Sequence, residues 1–217
     1  MFLLQRIADI LAEFDIVALQ EVRDLIVLKR LKTMLPGWDY VVSEPVGRKS
    51  PGTKKRVERY AFFYRRPSKK SGLPDLELAL MTVHVTFGEK ESRHAEIAEI
   101  NRLESELTAS VPNNRKVAVL GDFNLSPQDV LGTLGSHKMA LIRSPLSTTV
   151  FGKLYDNIWL DRADFSTSNN HERKYFVDSG VLRVDWRYYP PSKSSRLSAQ
   201  NPMDTMLPRL QTEQAQW

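Results

Sequence analysis

The chain has 217 residues, of which 31 are Lys or Arg and 26 are Asp or Glu, for a formal net charge of +5. That length suits one domain with an appendage, and 41% hydrophobic with 26% charged residues is the usual globular balance. The absence of Cys excludes disulfide frameworks, cysteine nucleophiles and thiolate metal sites, and no apolar run approaches the ~20 residues of a membrane span.

Phe2, Leu3, Leu4, Ile7, Ile10, Leu11 and Phe14 fall at the three-and-four spacing of a helix face. Arg6 and Asp9 break the pattern too early for a secretory signal. The run from Asp15 to Gln20 reads as a buried strand ending at Glu21. A second amphipathic pattern, Leu25 to Leu35, stops at Pro36-Gly37. Strands are expected at Tyr40–Ser43 and Tyr60–Tyr64. Between Arg48 and Lys70 lie ten basic residues and a single acidic one, Glu58, while the rest of the chain carries a net −4. A body of mild negative charge with one strongly basic stretch points to a polyanionic partner. The rival reading of that stretch is a solvated loop.

A long strand is expected over Leu76–Phe87, then a helix carrying Ile97, Ile100, Leu103, Glu104 and Leu107. Lys116–Gly121 is a further apolar strand running into Asp122-Phe123-Asn124, and Ser126-Pro127 reads as a helix cap with proline in the first turn. The last strands are expected at Asp156–Leu160 and Val181–Trp186. The text from 189 to 217 is rich in Pro, Ser and Gln and reads as a poorly ordered tail after a domain spanning 1–188. Strands mixed with helices make the class α/β or α+β.

Polar groups at the ends of apolar strands are the candidate chemistry, because a desolvated carboxylate is costly without a partner. Glu21, Asp122, Asn124 and Asp156 occupy such places, and His84 sits within a strand with Val83 and Val85 on the opposite face. Taken singly, each has an ordinary reading as a solvated or structural residue. As an ordered set they carry more. D-I-V-A-L-Q-E-V-R-D at 15–24, Y-V-V-S-E-P-V-G-R at 40–48, E-R-Y-A-F-F-Y-R at 58–65, T-V-H-V at 82–85, A-E-I-N at 98–101, L-G-D-F-N at 120–124 and Y-D-N-I at 155–158 follow one another along the chain.

This series resembles the endonuclease/exonuclease/phosphatase superfamily, in its deoxyribonuclease-I-like branch, over roughly residues 5–165. The resemblance implies a four-layer α/β sandwich of two packed mixed sheets flanked by helices, and hydrolysis of phosphodiesters with Mg²⁺, Mn²⁺ or Ca²⁺ being substitutes. It implies that Glu21 binds the metal together with Asp122, and that Asp122 and Asn124 orient the attacking water and hold the phosphate. It further implies that His84 is catalytic, with Glu58 fixing its ring, that Asp156 supports a second histidine, and that Arg23 and Arg48 touch the nucleic-acid backbone. Within the basic stretch, Arg59 and Tyr60 are expected to contact nucleic acid as well. The residue chemistry agrees: one or two carboxylates suffice for Mg²⁺, and a carboxylate or imidazole can move the protons of hydrolysis.

Two family features are missing from the text. The family's first strand, with its asparagine, has no counterpart, and neither has its closing Ser-Asp-His strand. The fold expectation is therefore a sandwich short of its first and last strands. The leading function is a metal-dependent endonuclease acting on DNA, with RNA as the alternative, working as a monomer. The rival readings are a catalytically weak relative that binds nucleic acid, and a phosphatase for a phosphoinositide or another small phosphoester. The compartment is open: cytoplasmic as the chain stands, secreted if a further amino-terminal segment carries a signal.

Overall fold

The first amphipathic pattern forms α1 (Phe2–Leu11), and the strand text after it forms β1 (Ile16–Val22). The computed structural model describes residues 2–46, 58–66, 77–112, 115–167 and 175–184. Helix α2 (Leu25–Met34) begins where Asp24 accepts a hydrogen bond from Ile26 N at 2.7 Å, an N-cap that satisfies one of the free donors of the first turn. Strands β2 (Trp38–Val42) and β3 (Arg59–Arg65) complete a three-stranded antiparallel sheet in the order β1-β3-β2. Alternation puts Val17, Leu19, Ala61 and Phe63 on one face. There they pack with Ala8 and Leu11 of α1 and with Leu28 and Leu31 of α2. The other face carries Ala18, Gln20, Tyr60 and Phe62.

The second half builds a second sheet. Strand β4 (Glu77–His84) crosses over through α3 (Lys90–Ser110) to the parallel strand β5 (Arg115–Asp122). Helix α4 (Pro127–Leu134) follows, with Ser126 accepting from Asp129 N at 3.3 Å and proline in the first turn, as the sequence predicts. Strands β6 (Lys138–Ala140) and β7 (Asp156–Asp161) complete the order β4-β5-β7-β6. Val83, Val85, Val119 and Trp159 face α3 and α4, forming a core with Ile97, Ile100, Val130 and Leu134. On the opposite face Ala118, Met139 and Leu160 pack with Phe165 from a short parallel pair, β8 (Phe165–Ser166) and β9 (Tyr175–Phe176). The layers thus run helices, sheet, sheet, helices. Among the described residues, β1 and β2 are the edges of the first sheet and β4 and β6 those of the second.

Several expectations are corrected. β4 ends at His84 and does not reach Phe87. Val85 N still donates to Asp122 O at 2.9 Å, but the ladder stops there because Asn124 N turns to the Asp122 carboxylate and its side-chain amide takes Val85 O. β6 was not legible, since three residues beginning with a lysine carry no strand period. Of the strand expected at Val181–Trp186, residues 181–184 contain no strand, with Val184 N bonding Leu182 O at 3.0 Å, and 185–186 lie outside the described residues.

The chain divides into two compact units, Met1–Val181 and Leu182–Trp217. Every element named above belongs to the first, and of the second residues 182–184 are described. The expected tail at 189–217 and most of the basic stretch lie outside the described residues. Among the described residues, no helix is long and apolar enough to cross a membrane.

Candidate active site

Register brings three strand ends into one row. In the parallel pair His84 stands opposite Asp122, and in the antiparallel pair Asp122 stands opposite Asp156. Residues directly opposite one another share a face of the sheet, with Cβ atoms about 4.5–5.5 Å apart. His84, Asp122 and Asp156 therefore project side by side toward the first sheet. Burial raises the Asp156 carboxyl above the ordinary aspartate value; Thr148 opposes that rise, Asp122's charge adds to it and His84 opposes it. A second carboxylate and an imidazole thus stand in the same row as Asp156.

Two residues adjoining the row have backbones that L-residues seldom adopt. Among the described residues, the non-glycine positions with positive φ are Glu21, at 53°, and Asn124, at 48°. Such conformations cost on the order of 1–3 kcal/mol and persist where the surroundings enforce them. Glu21 lies in a β-bulge, where the register of β1 against β3 slips between Leu19 and Val22. Bulges re-aim side chains at sheet edges. Asn124 is held from three sides: its N–H donates to the Asp122 carboxylate at 2.8 Å, its Nδ2 donates to Val85 O at 2.7 Å, and Arg93 donates to its carbonyl.

Gln20 ties the two sheets together directly beneath this row. Its Nε2 donates to Val83 O and lies 3.3 Å from Thr82 Oγ1, while its Oε1 accepts from Asp122 N at 3.3 Å. Gly121 makes the approach feasible: with φ of 143°, a side chain there would overlap Val83 O and Gln20 Nε2. Tyr60 reaches across as well. Burial raises its phenol above 10, the His84 backbone opposes that rise, and the charges of Glu58 and Glu96 add to it.

The expected residues fall into place unevenly. His84, Asp122, Asn124 and Asp156 converge on one end of the second sheet, and Tyr60 joins them from the first. Glu58 belongs to the group, with a different partner from the one expected. Among the described residues no hydrogen bond joins it to His84; instead Arg23 Nη2 bonds it at 2.9 Å and lies 3.6 Å from Glu21. A guanidinium between two carboxylates outcompetes a half-buried imidazole for that pairing. Arg23 is thus engaged with protein carboxylates. Arg59 falls on the helix-covered face of its sheet, with Ala61 and Phe63, so alternation directs it away from Tyr60. Arg48 lies outside the described residues. His94 bonds Thr133 at 3.0 Å between α3 and α4, and His137 lies 3.8 Å from Asp161 at the far end of β7.

Gln20, Gly121, Arg93 and Thr148 are site-forming residues that sequence reading missed. Gln20 carried the only local signal, as a polar residue inside an apolar strand.

Among the described residues no three His, Asp or Glu side chains cluster closely enough to hold a metal alone. By donor chemistry alone the expected pair, Glu21 and Asp122, suits a hard divalent ion, which takes one or two carboxylates and completes its shell with water and substrate phosphate; Glu21 lies 3.6 Å from Arg23. The repulsion that Asp122 exerts on Asp156 is also of the kind such an ion relieves.

Comparison with known proteins agrees with this architecture. A family model described as "Endonuclease/Exonuclease/phosphatase family" matches residues 2–169. A deoxyribonuclease of Thioalkalivibrio sp. (strain K90mix) is 26% identical, over 72% of this chain and 52% of its own length, so the chain spans about half of that relative. The fold is similar to that of an endonuclease/exonuclease/phosphatase family protein from Bacteroides thetaiotaomicron, with a TM-score of 0.50 and 21% identity over 73% of each chain. It is similar also to the human Nocturnin catalytic domain, with a TM-score of 0.51 and 18% identity over 75% of each chain. Truncated TDP2 of Caenorhabditis elegans gives a TM-score of 0.50 and 16% identity, over 73% of this chain and 77% of that one.

Proposed function

The chain belongs to the endonuclease/exonuclease/phosphatase family, and from that membership we propose that it is a divalent-metal-dependent phosphodiesterase hydrolysing the backbone of DNA. The observation that carries the reading is the row of His84, Asp122 and Asp156 in register across three strands, with Asn124 locked beside it. A phosphodiester resting on this row meets a carboxylate that can orient water and take its proton. It also meets an imidazole that, when protonated, offsets the phosphate's charge. Asn124 uses one Nδ2 hydrogen on Val85 O, which leaves the other to hold a phosphate oxygen. Arg93 and Gln20 keep these groups from drifting, which matters because misplacement of about an ångström can cost ~10²-fold in rate. Glu21 and Asp122 would hold the divalent ion, which would supply neutralisation of the charge that grows on the phosphate oxygens.

Plasmid nicking with Mg²⁺ or Mn²⁺, comparing wild type with Asp122→Ala, tests the proposal. Nicking that EDTA abolishes and Asp122→Ala removes is expected. Equal, EDTA-resistant nicking by both proteins would sink it.

A second reading draws on one observation: among the described residues, no histidine hydrogen-bonds Asp156. In that reading the chain binds nucleic acid and cleaves it weakly, since a missing acid or base commonly costs 10²–10⁴-fold, roughly. Salt-sensitive DNA binding without metal-dependent cleavage would favour it.

A further inference from the structure

Two phenylalanines stand in water at the same end of the second sheet as the carboxylate row. Phe87, three residues after His84, is 77% exposed, and Phe151, five residues before Asp156, is 86% exposed. Each ring forgoes the burial of a large apolar surface. Neither hangs from a loose segment. Phe151 sits on a turn in which Thr148 N and Thr149 N donate to Lys153 O at 2.9 and 3.0 Å, and Lys153 N donates to Thr149 Oγ1 at 2.9 Å. Gly152, at φ 73°, supplies the left-handed step. The turn is joined to the site because Thr148 Oγ1 accepts from Asp156 N at 3.1 Å.

On the other side, the Phe87 ring has the Arg93 guanidinium 5.9 Å from its centroid. Arg93 is the residue that holds the Asn124 carbonyl, and among the described residues its buried Nε has no hydrogen-bond partner. Lys153 is exposed two residues beyond Phe151. The Phe87 ring thus has a cation beside it and the Phe151 turn carries an exposed lysine, a combination that suits unpaired nucleic acid, where bases stack on aromatic faces and cations follow the backbone. Strands β4 and β7 flank β5, so at a spacing of about 4.8 Å per strand the two loops leave the sheet about 10 Å apart, with Asp122 between them.

We propose that Phe87 and Phe151 are stacking platforms for two unpaired bases, one on each side of the phosphate at Asp122, so that the site prefers single-stranded or locally unpaired nucleic acid to continuous duplex. The inference rests on the phosphodiesterase reading and narrows its substrate class. Consecutive bases in a duplex lie about 3.4 Å apart, so rings carried on loops rooted two strand spacings apart, with Asp122 between the roots, do not suit neighbours that remain stacked. Bases splayed around the phosphate can serve them.

The test is equilibrium binding in EDTA of a fluorescent oligodeoxythymidylate and of its duplex with oligodeoxyadenylate, using the full chain. Wild type is expected to bind the single strand more tightly. Phe151→Ala should lower that affinity roughly 5- to 150-fold, the range for one stacked base, while Phe151→Trp retains it. If Phe151→Ala does not fold, as judged by its thermal midpoint, Phe87→Ala and Phe151→Leu carry the same comparison. Tighter binding of the duplex, or a folded Phe151→Ala with undiminished single-strand affinity, overturns the proposal. So does a Phe151→Ala variant that loses only its binding to phosphatidylserine vesicles, which would make the turn a membrane contact. Hydrolysis of bis(p-nitrophenyl) phosphate by the wild type, measured separately with Mg²⁺, reports the phosphodiesterase reading. Its absence removes that reading, whereas the EDTA binding comparison reports the platforms alone.

Discussion

Gln20 offers the sharpest way to ask whether the two sheets and the site depend on one side chain. Its amide donates to Val83 O, lies 3.3 Å from Thr82 Oγ1 and accepts from Asp122 N at 3.3 Å. Gln20→Ala removes these contacts and strands a carbonyl and an N–H that are part-buried. A net hydrogen bond contributes about 0.5–1.5 kcal/mol, and a polar group left unsatisfied costs about 1–3 kcal/mol. The expected loss is therefore about 2–4 kcal/mol, which for a chain of this size lowers the thermal midpoint by roughly 5–15 °C. Gln20→Glu separates the donor from the acceptor. Its carboxylate still accepts from Asp122 N but faces the Val83 carbonyl with negative charge, while the protonated form can donate as glutamine does. Because the folded state favours the protonated form, the glutamate's pKa is raised on folding. Its stability deficit is small in acid and grows as pH rises through that raised value. Urea unfolding followed by fluorescence of Trp38 and Trp159, both buried, measures this, and metal-dependent nicking measured in parallel should fall with each substitution. Unfolding midpoints equal to wild type in both variants, or a Gln20→Glu profile without pH dependence, would refute the inter-sheet role.

Other expectations concern the scaffold. Lys138 is fully buried, with Glu104 Oε1 at 2.8 Å and Asp161 at 3.1 Å. Lys138→Met should destabilise by about 3–5 kcal/mol by orphaning the buried Glu104, and adding Glu104→Gln should recover much of the loss in chemical denaturation. Ser126→Ala removes the cap of α4 and should cost about 1 kcal/mol. Asp129, whose carboxyl is lowered by Lys90 first and then by Ser126, contributes stability above the ordinary aspartate pKa and loses it as pH falls through its depressed value. The deficit of Asp129→Asn should accordingly be present at neutral pH and vanish in acid, as pH falls through that depressed value. Gly121→Ala forces a Cβ into Val83 O and Gln20 Nε2, and should lower the thermal midpoint more than any of these substitutions.

The strand-end carboxylates, the alternation of Val83, His84 and Val85, and the Ser126-Pro127 cap were legible in the sequence because each is a local pattern. Side-chain period is 2 in a strand and a cap spans three or four residues, so neighbouring text carries the information. The tertiary structure decided what those residues meet. Nothing near Asp122 announces that His84 and Asp156 lie in register with it, since register depends on how segments far apart in the chain close on one another. The left-handed backbones of Glu21 and Asn124 arise from a bulge against β3 and from Arg93 reaching over from α3. The resemblance makes Glu58 a partner of His84, yet among the described residues Arg23, brought beside it by the pairing of Val22 with Arg59, holds it instead. Lys138 is buried only because α3 and β7 deliver two carboxylates to it. The sequence by itself determined that Asp122 and Asp156 stand at strand ends and that His84 faces opposite Val83 and Val85. Only the closed structure determined their partners, because charge pairing and hydrogen bonding fall off within a few ångströms, and those distances are set by contacts far apart along the chain.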